Sequence, residues 1–264
     1  MVCRYEHFES DWYRRWFSRI NPLRDPETQP AFHRKEWEWC VIAQALQERG
    51  MLCEGRSALG FGVGKEPLPS LLAAHGMHVH ATDLASRNWR SRRWIRSDMH
   101  AEGVAALHVP HLIEPKEFKE RISFGVADMR HLKQFRPASY DVVWSACSLE
   151  HLGSLAAGME FVKQSARLLK PGGIGVHTTE YNVTSNDRTW TRGRDVIYRQ
   201  KDIEALDRAL RQDGFCLARP DLDPGDHAFD REYDYPPFYS HGRQHIKIRL
   251  GQFVATSMLL IVQA

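Results

Sequence analysis

The sequence predicts an α/β protein with a doubly wound, mostly parallel β-sheet. Three observations favour this class: short apolar strands alternate with helical stretches from Ser57 onward, a glycine-rich turn follows the first strand, and a Pro-Gly-Gly turn precedes the fifth. Alternation of this kind is typical of right-handed crossovers that cover both faces of a parallel sheet with helices. With 264 residues, of which 42% are hydrophobic, the chain is long enough for one large domain with a substantial core.

Residues 1–50 are predicted to form a helical extension in front of the sheet. Ser10 and Asp11 can cap its first helix. The apolar stripe of this helix recurs at helical spacing and consists of Trp12, Tyr13, Trp16, Phe17 and Ile20. A Pro-containing segment, 21–30, ends the helix, and a second helix over about 33–49 closes on Gly50. The sequence leaves three roles open for the extension: a lid over a ligand, a part of the core, or a dimer interface.

Residues 51–264 are predicted to form the sheet domain. Its first strands lie at about 57–61, 77–82, 122–127, 140–146 and 173–179. The helices between them lie near 67–75, 86–107 and 154–169. A helix over 202–211 and a strand over 215–219 follow, and then a polar loop rich in Pro and Asp, about 220–250, forms an insertion on the ligand side of the sheet. The last strand, about 252–262, returns to the sheet in antiparallel orientation.

Charge and cysteine usage exclude several classes of protein. A net charge of +3 is too small to indicate a nucleic-acid binder, although most basic residues are arginines, which suit anionic ligands. Five cysteines without a C-x-x-C pair favour reduced thiols over a disulfide framework. The charged N-terminus is unlike an export signal, and the longest apolar run, residues 253–262, is about half as long as a membrane span. These features predict a cytoplasmic protein without a membrane segment.

The sharpest local signal is the turn S-A-L-G-F-G-V-G-K-E-P, which contains Gly60, Gly62 and Gly64. Glycines at such a turn let a ligand approach the backbone closely, and the helix that follows offers N–H groups to an anion. A dinucleotide fingerprint needs a third glycine where this chain has Lys65 or Pro67. The pattern therefore favours a ligand other than a dinucleotide, and a tight turn that binds nothing is the alternative interpretation.

An acidic residue ends the second predicted strand. Asp83 follows M-H-V-H-A-T and lies 19 residues after Gly64. A carboxylate at this place can accept two hydrogen bonds from a ribose diol. Together with the glycine turn, Asp83 predicts a site for a nucleoside that carries a short anionic tail.

Taken in order, these motifs resemble the class I S-adenosylmethionine-dependent methyltransferases. The resemblance runs from about Ser57 to Gln263. It comprises A-L-G-F-G-V-G (58–64), Asp83, V-A-D-M (126–129), Y-D-V-V-W-S-A-C-S-L-E-H-L (140–152) and L-K-P-G-G (169–173). The resemblance implies a Rossmann-like sheet, S-adenosylmethionine as the cofactor, and methyl transfer as the activity.

The resemblance also implies cofactor-binding positions, all of which follow the carboxyl ends of predicted strands, where open α/β sheets bind ligands. They are Gly60, Phe61, Gly62 and Gly64 in the turn, Asp83 and Leu84 at the ribose, Asp128 and Met129 at the adenine, and Ser145 and Cys147 at the sulfonium end.

One position departs from the family pattern. The family usually carries an acid two residues before the first loop glycine, where it holds the methionine ammonium or the loop amides, and this chain has Ala58 there. Backbone carbonyls, Glu66 or Glu38 are the possible replacements. The departure is also the one feature that favours a non-catalytic cofactor-binding module.

Methyl transfer needs an aligned nucleophile, exclusion of water and often a base. Two clusters beyond the fourth and fifth strands supply candidate catalytic residues. In the first, Glu150 precedes His151, whose ring can take a proton near neutral pH. The alternative interpretation is that this pair only starts a helix. The second, H-T-T-E-Y-N (177–182), places Glu180 and Asn182 at the rim of the sheet, where they either contact substrate or form a turn.

Two further patterns have competing interpretations. His78 and His80 share a strand face but lie inside the second strand without a cysteine or carboxylate nearby, so no metal site is predicted. The run R-N-W-R-S-R-R-W-I-R (87–96) is interpreted as a solvated helix face, a clamp for an anionic substrate, or a contact to single-stranded nucleic acid.

These observations predict a methyltransferase that acts on a small molecule, with oxygen of a sugar or natural product as the acceptor. An anionic acceptor would suit the arginines. The alternative is an RNA or protein methyltransferase, which would need a larger basic surface. No nucleic-acid or membrane partner is expected, and a homodimer is compatible with the aromatic extension. If the extension is a lid, removal of residues 1–30 leaves the sheet folded and impairs methyl transfer.

Overall fold

The computed structural model describes residues 1–24 and 32–264, with the side chain of Arg93 excepted, so most of the predicted segment 21–30 lies outside the described residues. The helices are α1 (Tyr5–Phe8), α2 (Asp11–Ile20), α3 (Arg34–Glu48), α4 (Leu68–Ala73), α5 (Arg92–Arg96), α6 (Pro115–Arg121), α7 (Leu155–Ala166), α8 (Gln200–Gln212) and α9 (Ala228–Arg231). The strands are β1 (Ser57–Phe61), β2 (His78–Asp83), β3 (Ile122–Val126), β4 (Tyr140–Ser145), β5 (Leu169–Asn182), β6 (Cys216–Leu217), β7 (Lys247–Leu250) and β8 (Phe253–Gln263). Short 3-10 turns cover Val104–Leu107 and Leu149–His151.

The strands form one mixed sheet in the order β3-β2-β1-β4-β5-β8-β6, and β7 pairs with β8. Pairing is parallel from β3 through β5, and β8 runs antiparallel to its three partners. Apolar clusters with helices lie on both faces of the sheet. The predicted doubly wound, Rossmann-like sheet with an antiparallel last strand is confirmed. The strand order reverses between β1 and β4, and sheets of this kind bind ligands at such a switch point.

The aromatic stripe of α2 is part of the hydrophobic core. Trp16 and Phe17 are each 2% exposed and belong to the same cluster as side chains of α3 and α4. The indole Nε1 of Trp16 donates to Oε1 of Gln44 at 2.9 Å, which ties α2 to α3. Burial of aromatic rings against two helices stabilises the fold. Of the three roles considered for the stripe, core packing is the one that these contacts show.

The capping signals of the extension act as predicted. The Ser10 hydroxyl accepts a hydrogen bond from the backbone N–H of Tyr13 at the start of α2. Gly50 follows α3 with a φ of +64°, a left-handed conformation that glycine adopts without strain.

The predicted helix over 86–107 is wrong. The segment contains only the five residues of α5 and a 3-10 turn, and the rest is irregular. Side chains compete with helical hydrogen bonds here: Ser91 Oγ donates to the Ala85 carbonyl at 2.6 Å, and Asn88 Oδ1 accepts from the Arg90 backbone N–H at 3.0 Å. Helix α6 was not predicted, and it begins at Pro115, whose fixed φ suits a first helical position.

The insertion at 220–250 packs onto the N-terminal extension. Arg4 Nη1 lies 2.6 Å from Asp221 Oδ2, and the rings of Tyr5 and His227 stack at 3.9 Å between centroids. The backbone of His33 forms a bridge with His245. These contacts hold the insertion beside the carboxyl edge of the sheet. Among the helices of the described residues, none is long and apolar enough to cross a membrane.

Candidate functional site

Two adjoining cavities open at the carboxyl ends of the central strands. The narrow cavity is bounded by the glycine turn, Asp83 and residues 127–130. The wide cavity has a volume of about 510 Å³ and is bounded by side chains of α3, β5 and the insertion. The residues shared by both are Gly62, Gly64, Trp94, Met99, Ser148 and His151. A ligand in the narrow cavity can therefore meet one in the wide cavity at this shared wall.

The glycine turn forms part of the shared wall with its backbone. Gly62 and Gly64 have φ values of +60° and +51°, in the left-handed region that favours glycine. A Cβ on Gly62 would lie 2.8 Å from Ser148 Oγ, and one on Gly64 would lie 2.5 Å from the carbonyl oxygen of Met99. Because no side chain fits here, a ligand can approach the backbone closely, as a nucleoside cofactor requires.

Gly60 and Phe61, which the sequence also placed at the cofactor, lie deeper, in β1. A Cβ on Gly60 would lie 2.2 Å from the indole ring of Trp144. The Phe61 ring packs edge-on against Phe135 and Phe161 in the core. Both residues pack beneath the turn, in the core, and are not among the described residues that line the cavities.

Asp83 lies at the end of β2 in the wall of the narrow cavity, next to Leu84. Its Oδ1 accepts from the Leu84 backbone N–H at 2.7 Å, and its Oδ2 accepts from the Gly64 backbone N–H at 3.1 Å. Burial raises the pKa of Asp83, while these N–H groups and His100, 3.4 Å away, oppose the rise. The carboxylate is thus fixed beside the glycine turn, where the donor set of a ribose diol fits it.

Asp128 and Met129 follow β3 and line the same cavity. The Asp128 carboxylate accepts from the Arg130 backbone N–H at 3.0 Å and from its Nε at 2.9 Å, and Arg130 Nη2 pairs with Oδ2. Burial by itself raises the pKa of Asp128, but the bonds from Arg130 outweigh it and hold the pKa below its usual value. The carboxylate remains an acceptor, and an adenine amino group would share it with Arg130.

Ser145 and Cys147 differ in position although the sequence placed both at the sulfonium end. Ser145 is fully buried, with its Oγ 2.9 Å from Nδ1 of His177, and is not among the described residues that line either cavity. Cys147 lines the wide cavity with a φ of +47°, which is rare outside glycine. Its backbone N–H donates to Thr178 Oγ1 at 3.0 Å, so contacts from β5 hold this strained conformation.

A buried ionic cluster, formed by Arg34, Glu38, Cys147, Glu150 and Glu180, lies under the wide cavity. Arg34 Nη2 lies 2.7 Å from Glu180 Oε1, and Nη1 lies 3.5 Å from Glu38 Oε1. Burial by itself lowers the pKa of Arg34, but Glu180 together with Cys147 and Glu38 raises it above its usual value. The guanidinium therefore stays charged at the centre of the cluster.

Three members of this cluster are close enough to hold a metal ion. Ligand atoms of Cys147, Glu150 and Glu180 lie within 4.8 Å of one another, and one oxygen of each carboxylate is buried without a hydrogen bond. However, Arg34 Nη1 lies 3.7 Å from Cys147 Sγ and already supplies positive charge to these groups. We therefore describe the cluster as an ion-pair network and not as a metal centre.

His151 lies in the shared wall, in the 3-10 turn after β4. Its Nδ1 is 3.0 Å from Asp195 Oδ1, its Nε2 is 3.7 Å from Glu150 Oε1, and its ring contacts Trp94 edge-on at 5.2 Å between centroids. Burial by itself lowers the pKa of His151, but Glu150 and Asp195 raise it above its usual value. With Nδ1 held by Asp195, Nε2 is the nitrogen that can accept a proton.

The second predicted catalytic cluster is divided. Glu180 lines the wide cavity. Asn182 forms a turn instead, because its Oδ1 accepts from the backbone N–H groups of Thr184 and Ser185. For Asn182, the turn alternative describes what is observed.

The remaining sequence patterns also have defined places. His80 Nδ1 lies 2.7 Å from Ser123 Oγ, on the neighbouring strand. In the run 87–96, Arg90 and Trp94 line the narrow cavity, whereas Trp89 is 68% exposed. The run is therefore shared between the cavity wall and solvent.

Several site residues were missed at the level of sequence. Arg34 and Lys35 at the start of α3 line the wide cavity, as do Asp195, Tyr239 and His245. The i, i+4 spacing of Arg34 and Glu38 was an available signal for an ion pair. For Asp195, in T-R-G-R-D, no local pattern indicates a role.

Comparison with known proteins indicates a methyltransferase domain. The chain matches the family model described as a methyltransferase domain over residues 59–177. An S-adenosylmethionine-dependent methyltransferase structure from Mesorhizobium loti aligns at 15% identity over 84% of this chain and 96% of that chain, with a TM-score of 0.50. The 1,6-didemethyltoxoflavin-N1-methyltransferase of Burkholderia thailandensis aligns at 12% identity over 98% of this chain and 89% of that chain, also with a TM-score of 0.50.

The chain spans only 62% of a Galdieria sulphuraria protein named as a sarcosine dimethylglycine methyltransferase, at 18% identity over 72% of this chain and a TM-score of 0.48. A search of curated protein sequences found no match. At these identities, the solved structures show the fold and not the acceptor.

The parallel sheet, the glycine turn and Asp83 together define an α/β protein with a cavity at the switch point of its sheet, whose lining suits a nucleoside. The family match, which runs from β1 into β5, identifies the group more narrowly. Residues 59–177 match a methyltransferase domain, and the fold is that of the Rossmann-like S-adenosylmethionine-dependent methyltransferases.

Proposed function

We propose that the chain is an S-adenosylmethionine-dependent methyltransferase that acts on a hydroxyl group of a small molecule, such as a sugar or natural product, which binds in the wide cavity. A volume of about 510 Å³ suits a small molecule. Aromatic side chains of Trp39, Phe238 and Tyr239 contribute to its walls together with charged groups. Such walls suit a ring that carries several hydroxyl groups.

The position of His151 carries the proposal. The imidazole is the one base that lies in the wall shared by both cavities in the described part of the chain. S-adenosylmethionine supplies a methyl group on a sulfonium when it is bound. His151 Nε2 accepts the proton of the acceptor hydroxyl, Asp195 orients the ring through Nδ1, and Glu150 stabilises the imidazolium from 3.7 Å.

The charges of the wide cavity favour a neutral acceptor over the anionic one considered from the arginine content. The lysine and arginine side chains in its walls already have carboxylate partners: Arg34 pairs with Glu180, Lys35 with Glu38 and Lys65 with Asp98. Asp195 adds an acidic group to the same walls and faces His151. An anionic group on the acceptor would therefore meet lysine and arginine side chains that are already paired with acids.

The test is transfer of a labelled methyl group from S-adenosylmethionine to a panel of sugars and hydroxylated natural products, with tRNA and mixed protein in parallel. We expect label in small molecules, and a loss of roughly 10²- to 10⁴-fold in His151→Gln. Affinity for S-adenosylhomocysteine, measured by calorimetry, should change less than about threefold, because the glycine turn and Asp83 are untouched.

His78→Gln is the matched control, because His78 is exposed on β2. It should transfer label at the wild-type rate. Label found only in tRNA or protein would overturn the small-molecule assignment. Full activity of His151→Gln would overturn its role as the base.

A further inference from the structure

A buried carboxyl group without a counterion lies next to the glycine turn. Glu66 is 6% exposed and lines the wide cavity beside Gly62 and Gly64. Lys35, whose charge opposes the rise in the pKa of Glu66, forms its ion pair with Glu38 instead. Within the described residues, Glu66 has no ion-pair partner, so a carboxylate here requires either a proton or a cationic ligand.

One oxygen of this carboxyl group is held in place. Trp144 Nε1 donates to Glu66 Oε1 at 2.7 Å, and no hydrogen bond among the described residues uses Oε2. Trp144 is fully buried in β4, and its ring fills the space beside Gly60. The Trp144 side chain of β4 therefore fixes Glu66 through Oε1 and leaves Oε2 for a ligand.

The two other positions for an acid at this end of the site do not reach the cavity. Ala58 is fully buried in β1 and carries no charge. Glu38 is fully buried as well, and its carboxylate accepts hydrogen bonds from Thr178 Oγ1 at 2.9 Å and from Ser257 Oγ. Glu38 is not among the described residues that line either cavity, whereas Glu66 is.

We propose that Glu66 binds the α-ammonium group of the methionine part of the cofactor. The ammonium is the cation on the amino-acid tail of the cofactor. The glycine turn that precedes Glu66 forms part of the wall that the wide cavity shares with the narrow cavity. A charge-assisted hydrogen bond from the ammonium supplies the counterion that Glu66 lacks. This inference rests on the proposed cofactor and is independent of the acceptor proposed above.

Binding of the ammonium group at Glu66 should be coupled to the release of a proton. Burial raises the pKa of Glu66 to about 8, with the Trp144 bond and Lys35 opposing the rise and Glu38 and Asp83 adding to it. At pH 7 the free carboxyl group is therefore mostly protonated. A bound ammonium lowers this pKa, so binding should release close to one proton per cofactor, and affinity should rise with pH between about 6 and 8.

Calorimetry with two ligands tests this. S-adenosylhomocysteine carries the ammonium, whereas 5′-methylthioadenosine has the same nucleoside and thioether without the amino-acid tail. In Glu66→Gln, where the amide oxygen still accepts from Trp144, we expect affinity for S-adenosylhomocysteine to fall about tenfold or more. Affinity for methylthioadenosine should change less than about twofold.

The wild-type protein provides a second readout that does not depend on any variant. Repeating the titration at pH 7 in buffers of different ionisation heat should show proton release with S-adenosylhomocysteine and none with methylthioadenosine. Equal loss of affinity for both ligands in Glu66→Gln would instead mean a disturbed glycine turn. Unchanged affinities, or no proton release by the wild type, would overturn the proposal. Glu38→Gln is the control acid and should not discriminate between the two ligands.

Discussion

His151 Nδ1 lies 3.0 Å from Asp195 Oδ1 at the wall that the narrow and wide cavities share. The carbonyl oxygen of Arg194 is 3.4 Å from the same nitrogen. His151 belongs to the turn after β4 and Asp195 to the connection after β5, so adjacent parallel strands bring the base and its acid together. The pair determines which imidazole nitrogen can take a proton from an acceptor.

We expect Asp195→Asn to move the pH dependence of methyl transfer. Burial and the charge of Lys35 lower the pKa of His151. The carboxylates of Glu150 and Asp195 raise it by more, so the pKa lies above its usual value. A base acts in its neutral form, and kcat/KM should therefore rise with pH through this pKa. Removing the Asp195 charge should shift that rise to lower pH and reduce the plateau about tenfold or more. Profiles of kcat/KM against pH for both proteins measure this, and a rise that stays in place would separate Asp195 from the base.

We expect Asp83→Ala to weaken cofactor binding while the protein remains folded. The variant loses the carboxylate that faces the narrow cavity and also accepts the Gly64 backbone N–H. Loss of a charge-assisted contact to two hydroxyls costs about 2–4 kcal/mol, or roughly 30- to 900-fold in Kd. Calorimetry with S-adenosylhomocysteine measures it, with exposed Asp226→Ala as the control. Binding within about threefold of wild type would show that Asp83 does not hold the ribose.

We expect Gly60→Ala to destabilise the protein by about 1–3 kcal/mol through overpacking. The new Cβ would lie 2.2 Å from the Trp144 ring, which cannot move without losing its bond to Glu66. Gly103→Ala is the matched control, since it meets nothing within 4 Å in an extended conformation. Urea unfolding of both variants checks this, and equal free energies of unfolding would mean that the Trp144 ring has room to shift.

We expect Trp16→Ala to lower the free energy of unfolding by about 3–5 kcal/mol, since its ring is buried between α2 and α3. Trp89→Ala, at a ring that is 68% exposed, should change it by less than about 0.5 kcal/mol. Urea titrations followed by circular dichroism make the comparison.

Because the stripe of α2 is part of the core, we expect removal of residues 1–30 to unfold the protein, contrary to the expectation from the lid hypothesis. A folded truncated protein would show that the core tolerates loss of α2.

Elements with strong local signals could be predicted. The glycine turn, Asp83 and the strands around them were placed correctly because turn glycines and apolar runs act over a few residues. The helix predicted over 86–107 failed because Ser91 and Asn88 hydrogen-bond to nearby backbone, and the segment bends around the end of β2, where Ala101 N–H reaches Asp83. Helical periodicity does not report such competition.

The sequence by itself determined the fold class, the order of the central strands and the methyltransferase motifs, because each depends on residues that are neighbours along the chain. Tertiary structure alone decided which side chains meet. Arg34 of α3 pairs with Glu180 of β5, Trp144 of β4 holds Glu66, and the stripe of α2 is core. These contacts join elements that are far apart in the chain, and their distances depend on strand order and helix packing, which the spacing of residues along the chain does not encode.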